Sequence, residues 1–120
     1  MSKFEKEFER LEGQDWEQVI EFCLNTDKAY AVRLQVTVHC LDRIKRFRRN
    51  IHISMNTYDR LAFAVVHTHY YPLQSALFDM LVMLLEQEDT FEPENILKAF
   101  PPILCHVLLK EYPNVCIPNV

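Results

Sequence analysis

Glycine is almost absent from this sequence: there is 1 in 120 residues, where average usage would supply about 8. Hairpin-rich sheets and phosphate-cradling loops need glycine where the backbone adopts a positive φ. The shortage therefore argues against an all-β sandwich and against a glycine-rich phosphate site. Hydrophobic residues at 49% and charged residues at 25% are ordinary for a folded protein, so the composition predicts one mostly helical domain.

Signals for export and for membrane insertion are also missing. No apolar run reaches the roughly 18 residues of a membrane span, the N-terminal ten residues are too charged for a signal peptide, and no Asn-x-Ser/Thr sequon occurs. Cys23, Cys40, Cys105 and Cys116 form no Cys-x-x-Cys pair, and the first three lie in apolar stretches, where a thiol acts as a small hydrophobic group. We expect reduced cysteines in a protein of the cytoplasm or nucleus, without a membrane partner.

Catalytic and metal-binding motifs are absent as well. There is no Gly-x-Ser-x-Gly, no Walker loop and no His-Glu-x-x-His, and paired carboxylates occur only in the acidic segment 86–94. Cys105 and His106 are neighbours, but no acid or oxyanion donor accompanies them in their apolar helix. The five histidines diverge by their spacing, whereas zinc needs three or four converging ligands. We therefore expect no enzyme, no metal and no cofactor.

Apolar residues recur at helical spacing along most of the chain. The pattern predicts six helical segments joined by short connections, at residues 3–11, 15–24, 28–48, 57–71, 72–87 and 94–112. The segment 72–87 is apolar on more than one side, so we expect it to be deeply buried. The fold class is all-α, built of antiparallel helical hairpins in a compact bundle or an open stack. Residues 1–113 form this single domain, and residues 114–120 form an extended or disordered tail.

Two finer expectations concern the middle of the chain. In the long helix 28–48 the spacing predicts an inward face, made of Tyr30, Leu34, Thr37, Leu41 and Ile44, joined by Val38 and Phe47. Residues 50–56 are polar and β-branched, and they read as a connection without a partner strand.

Charge is distributed unevenly along the chain. Residues 1–21 hold seven acids and three bases, residues 28–49 seven bases and one acid, and residues 86–94 five acids. The basic run consists of Arg43, Lys45, Arg46, Arg48 and Arg49. It has three functional interpretations beside a solvated helix end that complements the helix dipole: a docking surface for an acidic or phosphorylated protein segment, a nuclear-import signal, or a contact to nucleic-acid phosphates. The acidic flanks would repel a polyanion, which favours the protein partner.

Two further groups of residues are candidates for partner contacts. Among the aromatic residues of 58–83, Tyr70 and Tyr71 precede Pro72 at a helix end, where they would contact a partner or pack on the next hairpin. The apolar stripe near the C-terminus, Ile103, Val107 and Leu108, carries no polar cap, so we expect it to meet a partner or a second copy of the chain.

The hairpin 15–48 resembles a HEAT-type or armadillo-like repeat unit. Its first helix leads into an Asn/Asp turn, and its second helix carries Val32-Arg33 near its start and Leu41 and Ile44 further along. The resemblance implies stacked hairpins that bind a partner along one face, rather than a chemical activity.

Other segments share this resemblance in part. Residues 72–87 are similar to the second helix of such a unit, and residues 94–112, with Pro101 and Pro102 within the pattern, resemble a first helix. Residues 57–70 depart from the pattern.

Taken together, the sequence predicts a non-enzymatic protein interaction module, a scaffold or adaptor. We expect it to bind an acidic, phosphorylated or helical segment of a partner protein through the basic run, with Arg33 in line, and through Tyr70 and Tyr71. The alternative is a domain that contacts nucleic acid through the same basic residues.

Overall fold

The computed structural model describes residues 16–46 and 51–87, together with Lys98, Phe100, Pro101, Leu104, Cys105 and Leu108. Within these residues four helices are complete: α1 Trp16–Leu24, α2 Tyr30–Arg46, α3 Met55–His67 and α4 Tyr71–Gln87. Leu104, Cys105 and Leu108 are also helical. The all-α fold class is therefore confirmed for this part of the chain. The expected helix 3–11, most of 94–112 and the tail 114–120 lie outside the described residues.

Local hydrogen bonds set the helix ends. After α1, the amide of Lys28 donates to the Asn25 carbonyl at 3.1 Å, a turn that delays the start of α2 to Tyr30 instead of residue 28. The hydroxyl of Ser54 accepts from the Thr57 amide at 3.2 Å, so α3 begins at Met55, earlier than expected. Pro72 lies in the first turn of α4, where its missing N–H leaves no helical hydrogen bond unmade.

The four helices form two antiparallel hairpins that stand side by side. Helix α1 packs on α2 and α3, and helix α4 packs on α2 and α3. Because short connections reverse the chain after each helix, α1 runs parallel to α3, and α2 runs parallel to α4. The α1–α2 and α3–α4 connections therefore lie at one end of the fold, and the α2–α3 connection lies at the other.

The core is centred on α4. Eight of its side chains are buried, on more than one side of the helix as the pattern predicted: Leu73, Ala76, Leu77, Met80, Leu81, Val82, Leu84 and Leu85. The connection before α3 also joins the core, because Ile51 and Ile53 are 0% and 2% exposed. Gln87 Nε2 donates to the Ile51 carbonyl at 2.8 Å and holds this connection against the end of α4. The prediction of residues 50–56 as a polar connection did not include the contribution of Ile51 and Ile53 to the hydrophobic core.

The inward face of α2 differs from the one expected. Its buried residues are Arg33, Val36, Thr37, Cys40 and Ile44. Tyr30 and Val38, expected inside, are 50% and 49% exposed. The prediction was wrong for these two positions because α2 has apolar residues on several sides. The spacing of apolar residues alone therefore does not determine which face of α2 packs against the other helices.

Polar contacts tie α1 to α3. The carboxylate of Glu17 accepts from the Ser54 amide and from the Thr57 hydroxyl at the start of α3, and Glu21 forms an ion pair with Arg60. These contacts fix the parallel register of the two helices. Across the described ranges 16–46 and 51–87, no helix has both the length and the apolar character needed to cross a membrane.

Candidate binding cleft

A cleft of about 580 Å³ opens at the end of the fold that carries the α1–α2 and α3–α4 connections. The start of α2 forms one side, the last three turns of α3 form the other, and the α1–α2 turn closes the end. Its lining residues are Leu24, Thr26, Tyr30, Arg33, Asp59, Arg60, Phe63, Ala64, His67 and Thr68. We call it the aromatic cleft.

Two exposed aromatic rings line the cleft. Phe63 is 62% exposed and Tyr30 is 50% exposed, although both are large side chains of helices that also bury an apolar face. The Tyr30 ring stacks on that of Tyr70, with centroids 5.2 Å apart, and the Phe63 ring lies 4.2 Å from His67. Such rings are held open to solvent at a concave site, an arrangement typical of surfaces that bind partners.

Arg33 lines the same cleft from a buried position. It is 3% exposed, its Nε–H donates to the Cys23 carbonyl at 2.8 Å, and its guanidinium carbon lies 5.8 Å from the Tyr30 ring centroid. Burial lowers the pKa of the Arg33 guanidinium, and the neighbouring Tyr30 and Cys23 side chains oppose that shift. The group stays a cation at neutral pH because an arginine pKa starts so high.

The other charged residues of the cleft are one base and one acid. Arg60 is exposed and pairs with Glu21 on α1. Asp59 is exposed on α3 and lines the cleft as well. The cleft therefore holds two cations against one anion, and one of those cations already has a carboxylate partner.

The basic run lies elsewhere. Lys45 and Arg46 are exposed and Arg43 is half-buried at the far end of α2, while Arg48 and Arg49 lie outside the described residues. Ten residues of helix separate Arg33 from Arg43, which is about 15 Å. Arg46 pairs with Asp42 at 3.3 Å, one turn back on the same helix.

The expectation that Arg33 is in line with the basic run is therefore wrong. Its side chain is buried and hydrogen-bonded to α1, because position 33 lies on the packed face of α2. Tyr70 is also distant from the basic run, since it stacks on Tyr30 at the opposite end of α2. The structure thus places both Arg33 and Tyr70 beside Tyr30 and separates both from the basic run.

Tyr71 lies on a second, smaller groove. It is 73% exposed and lines a space of about 360 Å³ with Val65, Val66, Gln74, Ser75, Phe78 and Leu104. The helical residue Leu104 forms part of this wall, so the groove lies between the α3–α4 hairpin and the chain that follows it. Tyr71 is thus exposed, as a partner contact requires, but it does not line the aromatic cleft.

The apolar stripe near the C-terminus is described only in part. Leu108 is 0% exposed, whereas Ile103 and Val107 lie outside the described residues. The expectation of an exposed association surface is wrong for Leu108, because its side chain is part of the hydrophobic core.

The cysteine side chains are internal. Cys23 and Cys40 are 0% exposed and Cys105 is 2% exposed, and Cys23 and Cys40 form no disulfide. The Cys23 and Cys40 sulfurs lie 4.0 Å apart, and their hydrogen bond lowers the pKa of Cys23 and, with burial, raises the pKa of Cys40 well above its ordinary value. Their expected place in the core is confirmed. Among the described side chains, no group of three or more His, Cys, Asp or Glu is arranged to hold a metal ion.

Comparison with protein-family models, with curated proteins and with solved structures finds no match to this chain.

Sequence reasoning missed the two rings that define the cleft, Tyr30 and Phe63. Tyr30 was assigned to the inward face of α2, and Phe63 was not singled out as a candidate contact residue. A signal for Phe63 was present, because the apolar stripe of α3 runs through Leu61, Ala62 and Val65 and leaves position 63 outside it.

Proposed function

We propose that the chain is a non-enzymatic interaction module that binds a short acidic segment of a partner protein in the aromatic cleft. The observation that carries the proposal is the pair of exposed rings, Tyr30 and Phe63, on opposite sides of a cleft that also contains Arg33. Aromatic and arginine side chains are the residues that most often dominate the binding energy of protein interfaces.

The size of the cleft fits a peptide rather than a folded surface. A volume of about 580 Å³ holds a few side chains, and the rings that border it are already held in place. Tyr30 is stacked on Tyr70 and Phe63 packs beside His67. Binding would therefore cost little ordering of these side chains, which favours affinity from a small contact area.

Local charge favours an acidic occupant, even though the whole chain has a net charge of −4. Inside the cleft Arg33 has no carboxylate partner among the described residues, while the exposed acid Asp59 is the one negative group of the lining. An acidic side chain beside an apolar or aromatic one would complement both the cation and the rings.

A peptide selection tests this proposal. The immobilised full chain would be used to select binders from a displayed library of random peptides, and the affinities of synthetic binders would be measured by fluorescence anisotropy. We expect acidic residues next to apolar ones to be enriched among the binders. In addition, Phe63→Ala should raise the dissociation constant of the best peptide by about 10-fold or more, as expected when one aromatic anchor is lost.

Val38→Ala is the matched control. Val38 is an exposed apolar residue of α2 that does not line the cleft, so its replacement should leave the affinity unchanged. Equal effects of the two variants would overturn the location, and binders without acidic residues would overturn the stated chemistry. Preferential binding of an oligonucleotide, with steep salt dependence and no effect of Phe63→Ala, would favour nucleic acid instead. A Phe63-dependent dimer in solution would make a second copy the occupant.

A further inference from the structure

The guanidinium of Arg33 has more hydrogen-bond donors than the protein around it has acceptors for them. It carries five N–H groups, and one of these, Nε–H, is donated to the Cys23 carbonyl at 2.8 Å. Within the described part of the chain, no residue accepts a hydrogen bond from either terminal nitrogen, and no carboxylate pairs with the group. Four of the five donors therefore have no partner among these residues.

The remaining donors belong to a side chain that lines the aromatic cleft. Although Arg33 is only 3% exposed, no side-chain nitrogen or oxygen of the described residues is both fully buried and without a hydrogen-bond partner. The terminal nitrogens must therefore keep a small accessible surface. Because Arg33 lines the aromatic cleft, the cleft is the space from which a ligand would reach that surface.

A cation in this position gains from an oxyanion. Withdrawal from water without a paired carboxylate is unfavourable for a charged group, and charge-assisted hydrogen bonds to a ligand would compensate for the lost hydration. The planar fork of a guanidinium matches two oxygens of a carboxylate or a phosphate. The bond from Nε to Cys23 and the Tyr30 ring hold the orientation of this fork in advance.

We infer that Arg33 is the oxyanion-binding residue of the aromatic cleft: its terminal nitrogens bind the carboxylate or phosphate group of an acidic side chain, beside the rings of Tyr30 and Phe63. This inference rests on the proposed function, since it names the group that the cleft recognises in its partner. The second cation, Arg60, already pairs with Glu21, and Asp59 opposes any anion. Selectivity for an oxyanion therefore depends on Arg33.

Small probes test this inference independently of any peptide. The ¹⁵N-labelled full chain would be titrated with phenylacetate, phenyl phosphate and the uncharged phenylacetamide, and the amide and arginine Nε–H signals would be followed by NMR. We expect saturable shifts at Tyr30, Arg33 and Phe63 with both anions. The dissociation constant of phenylacetamide should be about 10- to 100-fold higher, as expected when charge-assisted hydrogen bonds are lost. The stronger of the two anions identifies a carboxylate or a phosphorylated side chain as the preferred group.

Two arginine variants locate the effect. Arg33→Met keeps an unbranched apolar side chain in the packed position but removes the charge, and it should abolish the preference for anions over phenylacetamide. Arg60→Met is the matched control in the same cleft and should preserve that preference. If Arg33→Met fails to fold, as judged by circular dichroism, the comparison of charged and uncharged probes on the unaltered chain still shows whether the cleft prefers an oxyanion.

The outcomes separate this inference from the proposed function. Equal binding of phenylacetamide and phenylacetate, or a preference lost with Arg60→Met instead of Arg33→Met, would overturn the role of Arg33 and leave the aromatic peptide site standing. No binding of either anion would also overturn it. Failure of the proposed function itself would appear in the peptide selection, as an affinity indifferent to Phe63→Ala.

Discussion

Replacing Glu17 by alanine is expected to destabilise the whole fold, although the residue is only half-buried. Its carboxylate accepts from the Ser54 amide and from the Thr57 hydroxyl, and it lies 3.4 Å from the Ser54 hydroxyl. It therefore binds polar groups at the N-terminus of α3, where the helix dipole also favours a negative charge. Removal of the carboxylate loosens the contact between the first and second hairpins.

The structure sets the magnitude of this loss. Hydrogen bonds to a charged group contribute about 1.5–3 kcal/mol each, but Ser54 is exposed, so water replaces the carboxylate at that amide. Thr57 is 2% exposed, yet its hydroxyl keeps the Ser54 hydroxyl as a partner at 3.1 Å. We therefore expect a loss of about 1–2 kcal/mol, which at a slope of about 2 kcal/mol per M moves the urea midpoint by about 0.5–1 M.

Urea unfolding followed by circular dichroism measures this effect. Glu86→Ala, an exposed acid on α4, serves as the matched control and should stay within about 0.5 kcal/mol of the unaltered chain. A double-mutant cycle with Thr57→Val should give a coupling free energy of about 0.5 kcal/mol or more. Additive effects of the two substitutions, or a Glu17→Ala loss no larger than that of Glu86→Ala, would refute the reasoning.

Three further predictions concern the core, the thiols and the basic run. Leu81→Ala should cost about 2–5 kcal/mol in urea unfolding, because Leu81 is 0% exposed in α4, a helix with eight buried side chains; a loss below about 1 kcal/mol would contradict its placement. Cys23 and Cys40 should react with a thiol reagent only upon addition of denaturant, since both are fully buried, and rapid reaction of the native chain would show that α1 opens. Charge reversal of Lys45 and Arg46 together should weaken the binding of an acidic peptide in the cleft only at low salt, because charges are screened over about 8 Å at physiological salt. An equal loss of affinity at high salt would mean that these two residues contact the peptide directly.

The helices were predictable from the sequence because each carries enough apolar residues to show its period. Helix α4 is the clearest case: Leu73, Leu77, Leu81 and Leu84 repeat at helical spacing, and Pro72 marks the start. All of these leucines are buried. The helical spacing of these leucines does not depend on which helices pack against them, so α4 could be predicted without knowledge of the tertiary structure.

The orientation of α2 was not predictable in the same way. Tyr30 and Val38 are as apolar as the residues that do pack, and position 33 holds a charged residue that spacing rules would place outside. Arg33 lies inside because one acceptor, the Cys23 carbonyl at the end of α1, is within its reach. This acceptor comes within reach only because of the turn between α1 and α2, and the spacing of apolar residues does not predict the geometry of that turn.

The binding cleft was predictable only in fragments. Tyr70 was named from its place before Pro72, and Arg33 was named as part of a basic surface, but their proximity depends on α2 and α4 starting at the same end of the fold. Tyr30 stacks on Tyr70 across that end, joining residues from two different hairpins. Charge counting pointed instead to the basic run, which is dense in sequence and lies about 15 Å or more away from Arg33 along α2.

The contacts between Glu17 and the start of α3 span 37 to 40 positions of the chain, and Gln87 reaches back 36 positions to Ile51. The Glu17 contacts join the two hairpins, so α1 and the start of α3 complete their hydrogen bonds only when both hairpins are in place. The chain should accordingly fold and unfold in one cooperative step, and backbone amides of α1 and α4 should exchange their hydrogens at rates set by a single opening event.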